Sequence, residues 1–347
     1  MPIFDNQLSI ILPIKDRKAY TLRVLDYLNN EKCKYEIFIA DGSKIKNFKQ
    51  ALLNNKFKNL NLTYKYHGHD KTFTKFLNKI YSYRYFIKSE YIYWLCDDDF
   101  PNLETLKHGI NKLLKNKNFS TYIGQVKNFT LSNQKLEFNN KFQYYYPSAT
   151  KRTFLSNNIL SKIKKYNQFH PFEAIINTSV FFRVFKESKI LKVDNFHEFA
   201  LIFKTIPLLY GKIFIESKLI LIRQTNSYIS EGKKNNNFFE DELALLLKVK
   251  FKKIVNKLAD IINKKFHLKK HDKEIVINIY YNNFLEIYNY TLKKNLSSLK
   301  NNKFYKLFKI LKKSSQNLKI FKTSGYVYEF KNSSTLFHKI KKKLLML

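Results

Sequence analysis

The chain has 347 residues and a mass of 41.7 kDa, enough for one large domain or two smaller ones. Hydrophobic residues make up 44% and aromatic residues 16%, which excludes a disordered or low-complexity polymer and leaves ample apolar area for a core. Lys and Arg total 64 against 27 Asp and Glu, a net charge of +37, and the two cysteines, Cys33 and Cys96, make no disulfide framework, so a reducing compartment is expected.

The apolar run at 8–14 reads as a buried strand, ended by Pro13 and the charged Lys15-Asp16-Arg17. Residues 19–30 place Leu22, Leu25 and Leu28 at helical spacing. A second strand at 36–40 stops at Asp41-Gly42-Ser43, a helix through Phe48, Leu52 and Leu53 follows, and 62–66 is a third strand. A long helix over about 72–88 leads to a strand at 91–96. Strands and helices alternating at this rhythm predict parallel pairing with right-handed crossovers.

Beyond residue 100 the spacing predicts a helix over 103–114, with Asn102 as N-cap and Glu104 in its first turn. A strand at 122–126, strands with loops over 127–150, and helices over 179–191 and 197–209 come next. The stretch 213–223 reads as a strand, or a hairpin with a Glu-Ser-Lys turn. The fold class is α/β, a mostly parallel sheet flanked by helices. No proline follows Pro207, and 238–314 reads as helical. The polar stretch from Gly232 to Asn237 divides an α/β domain (1–231) from a basic helical C-terminal region (232–347).

The basic residues are nearly all Lys beside abundant Asn, Ile, Phe and Tyr, the bias that an AT-rich genome imposes on any fold. Their distribution says more than their total. Residues 291–347 hold 15 Lys and a single acid, Glu329. That density suits either a solvated face or an anionic membrane surface. Nucleic-acid binding is disfavoured, because Arg is scarce and no recognition element is evident. The apolar runs at 8–14 and 219–222 are too short to cross a bilayer, and the opening Met-Pro-Ile-Phe-Asp-Asn lacks the pattern of a secretory signal. A cytoplasmic protein is expected, held at the inner face of the membrane where the basic region meets anionic lipid.

In an open parallel sheet, ligands bind at the carboxyl ends of the strands. Three polar clusters fall there: Lys15-Asp16-Arg17, Asp41-Gly42-Ser43 and Asp97-Asp98-Asp99. Three consecutive carboxylates are costly unless a cation neutralises them. Asp97 and Asp99 share a face if the strand persists, with Asp98 on the other. A divalent ion with oxygen ligands and phosphate partners fits; a solvated acidic turn is the plainer alternative. His67-Gly68-His69-Asp70 lacks a completing ligand at zinc spacing. Cys96 reads as a buried thiol and Trp94 as core.

Leu-Ser-Ile-Ile-Leu-Pro-Ile-Lys-Asp-Arg at 8–17, Ile-Ala-Asp-Gly-Ser at 39–43 and Leu-Cys-Asp-Asp-Asp-Phe at 95–100 together resemble a family 2-type glycosyltransferase of the GT-A fold. The resemblance runs over about residues 7–226. It implies that Pro13, Lys15 and Asp16 line the nucleotide pocket and that Asp41 accepts a hydrogen bond from the base. Lys75 occupies the place of an arginine near the diphosphate. Asp97 and Asp98 belong to the nucleotide-sugar site, and Asp99 coordinates Mg²⁺ or Mn²⁺ bridging the diphosphate. Glu198, opening a helix that runs to Gly211, is the implied base that deprotonates the acceptor hydroxyl, with Asp194 as runner-up. An acid in a helix's first turn also has an electrostatic role of its own. Arg223 lies where a loop closes over the diphosphate, and Asn226 stands where a histidine would add a metal ligand. His170 is a candidate for the acceptor pocket.

The implied activity is inverting, metal-dependent transfer of a sugar from a nucleoside-diphosphate sugar to a glycan or lipid-linked glycan, in surface polysaccharide or lipopolysaccharide assembly. The Gln-x-x-Arg-Trp motif of processive synthases is absent. A sugar nucleotidyltransferase would need a Gly-rich loop after the first strand, where this chain has Pro-Ile-Lys-Asp-Arg-Lys. A catalytically inactive scaffold of the same fold is the alternative.

Overall fold

Leu8, Ile10, Ile11, Leu12 and Ile14 are all buried, so the first strand is covered on both faces, as parallel sheets require. A computed structural model describes residues 5–132, 135–142, 159–160, 163, 171–224 and 249–280. In chain order these form β1 (Asp5–Ile14), α1 (Lys18–Asn30), β2 (Tyr35–Asp41), α2 (Gln50–Lys56), β3 (Asn61–Tyr66), α3 (Phe73–Ser82) and β4 (Tyr91–Trp94). Next come β5 (Asp99–Pro101), α4 (Leu103–Lys115), β6 (Phe119–Ser132), β7 (Lys135–Phe142), β8 (Ile175–Asn177), α5 (Thr178–Ile190), α6 (Phe196–Leu209) and β9 (Lys212–Gln224).

The described strands form one sheet in the order β3-β2-β1-β4-β8-β6-β9-β5, with β7 paired to β6. The half from β3 to β4 is parallel throughout, which sets the carboxyl ends of four strands along one edge. Beyond β4 the sheet is mixed: β8 runs antiparallel to β4 and β6, β6 and β9 are parallel, and β5 is antiparallel to β9. Helices cover the sheet through apolar stripes at 3–4 spacing, such as Val24, Leu25 and Leu28 on α1 and Leu106, Ile110 and Leu113 on α4. Asn102 caps α4 by accepting from Thr105 N–H at 3.2 Å, as expected.

Several elements differ from the sequence-based expectation, the unexpected short strand β8 among them. The helix expected over 72–88 ends at Ser82 and passes into a 3₁₀ turn, Tyr83–Tyr85. The strand expected to reach residue 96 stops at Trp94, with Leu95 and Cys96 between it and the first aspartate. The chain turns there, Asp99 N–H donating to Cys96 O at 3.3 Å, and resumes as β5. The stretch 213–223 is one strand and no hairpin. Its polar Glu216-Ser217-Lys218 bulges out between the pairs Ile123–Ile215 and Gln125–Leu219. Gly124 lies against that bulge, where a Cβ would come within 2.7 Å of Lys218 O.

The chain divides into two compact units, the first holding the sheet and the second beginning near residue 229. In the second unit, α7 (Val249–Phe266) buries Ile254, Val255, Leu258, Ala259 and Ile262, and a further helical stretch covers 270–280. Lys273 Nζ pairs with Asp260 Oδ1 at 2.5 Å. The Lys-rich segment 291–347 lies outside the described residues. No helix among the described residues is long and apolar enough to cross a membrane.

Candidate active site

The loops after β1, β2, β3 and β4 converge at the parallel edge. Asp16 adopts φ 54°, a left-handed conformation rare outside glycine, and two bonds hold it there. Asp16 N–H donates to Ser43 Oγ at 2.7 Å, and Lys44 N–H donates to Asp16 Oδ1 at 2.8 Å. Pro13 is half-buried opposite Ala40 in the ladder, and Asp16 itself is exposed. Asp41 is wholly buried. It accepts from Tyr64 OH at 2.7 Å and Ser43 N–H at 2.9 Å, and more loosely from the Asn47 amide at 3.3 and 3.4 Å.

Lys15 Nζ donates to Asp70 O at 2.8 Å, tying the first loop to the third. Beneath it lies an ion pair that sequence reading missed, Lys79 Nζ to Asp70 Oδ2 at 2.6 Å, both side chains almost fully buried. Burial lowers the pKa of Lys79, and Asp70 opposes that shift. Lys75, expected near the diphosphate, is exposed one turn earlier on α3. His67 Nε2 lies 3.1 Å from Tyr83 OH, and burial pushes its pKa down to about 4.

The three aspartates are met by two arginines from opposite sides. Arg17 spans the first two, with Nη1 3.0 Å from Asp97 Oδ1 and Nη2 2.9 Å from Asp98 Oδ2. Arg223 stands opposite Asp99 in the β5–β9 ladder, its Nε 3.4 Å from Asp99 Oδ2, and its Nη2 also bonds Glu173 Oε1. Burial, reinforced by Asp98, pushes Asp97 up to about 7 against the pull of Arg17. Asp99 is raised well above the carboxylate range, chiefly by burial, with Arg223 opposing.

Among the described residues, one group of His, Cys and carboxylate ligand atoms gathers within 4.8 Å: Cys96, Asp98 and Asp99. Asp98 therefore joins Asp99, where alternation along a strand had paired Asp97 with it. Asp99 Oδ1 is buried with no hydrogen-bond partner among the described residues. Two carboxylates with an unsatisfied oxygen suit a hard divalent cation that keeps other oxygen ligands, whereas the Cys96 sulfur is too soft for Mg²⁺ or Mn²⁺.

Glu198 is wholly buried in the first turn of α6. Its N–H donates to Asn195 Oδ1 at 2.9 Å while its Oε2 accepts from Asp194 N–H at 3.3 Å, a reciprocal capping arrangement. Asp194 is exposed. Phe199, next in the chain, packs on Trp94 with ring centroids 6.1 Å apart, so α6 leans on the strand that delivers the aspartates. Phe172, Phe185 and Phe203 surround the same indole. His170 and Asn226 lie outside the described residues. Sequence reading also missed Glu173. It lies three residues after His170, and its pairing with Arg223 on β9 is set by tertiary contact alone.

A parallel half-sheet with an aspartate turn after its fourth strand, passing into a mixed second half, is the GT-A architecture of glycosyltransferases. The chain matches the family described as Glycosyl transferase family 2 over residues 9–186, just over half its length, and it belongs to that family. Among solved structures it is similar to S. aureus TarS. The crystal structure of TarS 1-349 superposes with a TM-score of 0.52 at 14% identity, over 85% of this chain and 76% of that one. The same TarS piece in complex with UDP-GlcNAc gives a TM-score of 0.52 at 15% identity, over 81% and 73% of the two chains. No curated protein sequence matches the chain.

Proposed function

We infer that this glycosyltransferase moves a sugar from a nucleoside-diphosphate sugar to a hydroxyl acceptor with inversion, using Mg²⁺ or Mn²⁺. The observation that carries the reading is the Asp98–Asp99 pair at the parallel edge, with Asp99 Oδ1 unsatisfied and arginines on both flanks. When bound, the divalent ion supplies charge to the departing diphosphate. Asp98 and Asp99 hold it. Lys15, Asp16 and the Asp41 loop seat the nucleoside, with Asp97 beside them. Among the contacts to Asp41, the long ones from Asn47 are the ones a base N–H displaces at least cost. Arg223 reaches the diphosphate side from β9.

The acceptor oxygen attacks the anomeric carbon, the carbon–oxygen bond to the diphosphate breaks, and Glu198 takes the acceptor's proton. The exposure of Asp194 favours it as a second candidate for that base. The acceptor is a glycan or lipid-linked glycan, and the activity belongs to surface glycan assembly at the cytoplasmic face of the membrane. The TarS complex with UDP-GlcNAc makes uridine nucleotides the first donors to try.

The test is a melting-temperature screen of UDP, GDP, CMP and dTDP with and without Mn²⁺, run beside Asp99→Asn. A ligand that binds only the folded protein raises the midpoint by mass action. The expected result is a Mn²⁺-dependent rise with one nucleotide, abolished in the variant. No rise with any nucleotide favours the inactive scaffold.

A further inference from the structure

Resting on the reading above, we propose that Arg223 and the divalent cation compete for Asp99, and that Glu173 is a positioning residue that draws the Arg223 guanidinium aside so that Asp99 can serve the cation. The geometry of Arg223 is lopsided. Its Nε and Nη2 stand 3.4 and 3.5 Å from Asp99 Oδ2, well outside the range of a strong charge-assisted bond, while Nη2 closes tightly on Glu173 Oε1. The β5–β9 ladder fixes the backbone of Arg223 opposite Asp99, so only the side chain can lean away.

Glu173 is suited to hold it. It comes from a separate element, the 3₁₀ turn Pro171–Glu173 before β8, and is buried. Burial lowers the pKa of Lys204 on α6 and Glu173 opposes that shift, so a second basic group lies within electrostatic reach of this carboxylate. The Tyr93 hydroxyl is within electrostatic reach of Glu173, Asp99 and Arg223, and is buried without a hydrogen-bond partner among the described residues. With Asp99 Oδ1 it makes a second unsatisfied oxygen in this pocket. A guanidinium and a divalent ion on one buried carboxylate repel each other strongly. Arg223 must therefore surrender Asp99 before the cation settles, and it is then free to meet the diphosphate.

The experiment measures Mn²⁺ binding to the full chain without nucleotide, by the paramagnetic resonance signal of free Mn²⁺, and UDP binding by calorimetry at saturating Mn²⁺. Glu173→Gln, isosteric but uncharged, returns Arg223 to Asp99 and is expected to weaken Mn²⁺ about tenfold, an electrostatic difference of ~1.4 kcal/mol. Arg223→Met is expected to tighten Mn²⁺ severalfold while weakening UDP. A merely structural role would weaken both ligands in both variants, and that outcome overturns the proposal, as does an unmoved Mn²⁺ affinity. Should Arg223→Met fail to fold, Glu173→Gln decides alone. Wild-type protein that binds no Mn²⁺ would sink the metal-dependent reading itself, a result distinct from variants that leave a measurable affinity unchanged.

Discussion

Gly42 lies directly against Asp70: a Cβ at Gly42 would fall 1.9 Å from Asp70 Oδ2 and 2.6 Å from Lys79 Nζ. The buried ion pair that joins the loop after β3 to α3 thus occupies the space a side chain would need. Gly42→Ala must push the pair apart, and separating buried charges costs about 3–5 kcal/mol. The expected outcome is a large fall in melting temperature. Replacing the pair by Asp70→Ser with Lys79→Met in the same chain should recover part of it, and failure to recover any would show that the clash lies elsewhere.

Arg17 neutralises two of the three aspartates. Arg17→Met leaves Asp97 and Asp98 without that charge, and stability should drop by about 3 kcal/mol or more without metal. Mn²⁺ should then raise the midpoint more in the variant than in the wild type, since it supplies the missing positive charge. Arg17→Lys should rescue little, because one ammonium cannot match the two-pronged geometry. Melts with and without Mn²⁺ read all three.

Glu198 holds the start of α6 and is also the proposed base, and the two roles can be separated. Gln at this position still accepts the Asp194 N–H and keeps the cap. Glu198→Gln should therefore melt near wild type and bind nucleotide normally, while losing about 10²–10⁴ in kcat if Glu198 is the base. Glu198→Ala should lose the rate and also about 1 kcal/mol of stability. A Gln variant of full activity would transfer the role to Asp194, tested by Asp194→Asn.

His67 gives a pH signature. Its pKa is held down at about 4 by burial, against about 6.5 in the unfolded chain. Below 6.5 the unfolded chain takes up a proton that the folded protein refuses, so His67 weakens the fold progressively as pH falls from about 6.5 to about 4. His67→Gln should remove that contribution. Denaturant midpoints from pH 7 to 4 for both proteins measure it as their difference, and parallel curves would refute the assignment.

Much of the fold was legible because hydrophobic periodicity and punctuation agree over residues 8–115. Asn102 before α4 and Asp41-Gly42-Ser43 after β2 each mark an element's end by local chemistry. What escaped was decided by tertiary partners. The aspartate turn is held by Arg17 on one part and Arg223 on the other, and neither contact leaves a trace in spacing. Lys75 and Lys79 lie on one helix, but only packing under Gly42 distinguishes them. Glu173 carries no local signal, since its partner is 50 residues away in the chain. The Glu-Ser-Lys bulge looks like a turn locally, and its pairing with β6 alone makes it part of a continuous strand.

That bulge also bears on how the protein tolerates change in length. The surplus residues of β9 are stored at exposed Ser217 and Lys218, ahead of the stretch that carries Arg223 to its place opposite Asp99. Insertions or deletions at 217–218 can be absorbed as a larger or smaller loop. One residue added between Leu221 and Arg223 would instead turn the arginine to the opposite face of the sheet. Related chains should therefore vary in length at the first position and hold it fixed at the second, a pattern of gaps set by one strand's register.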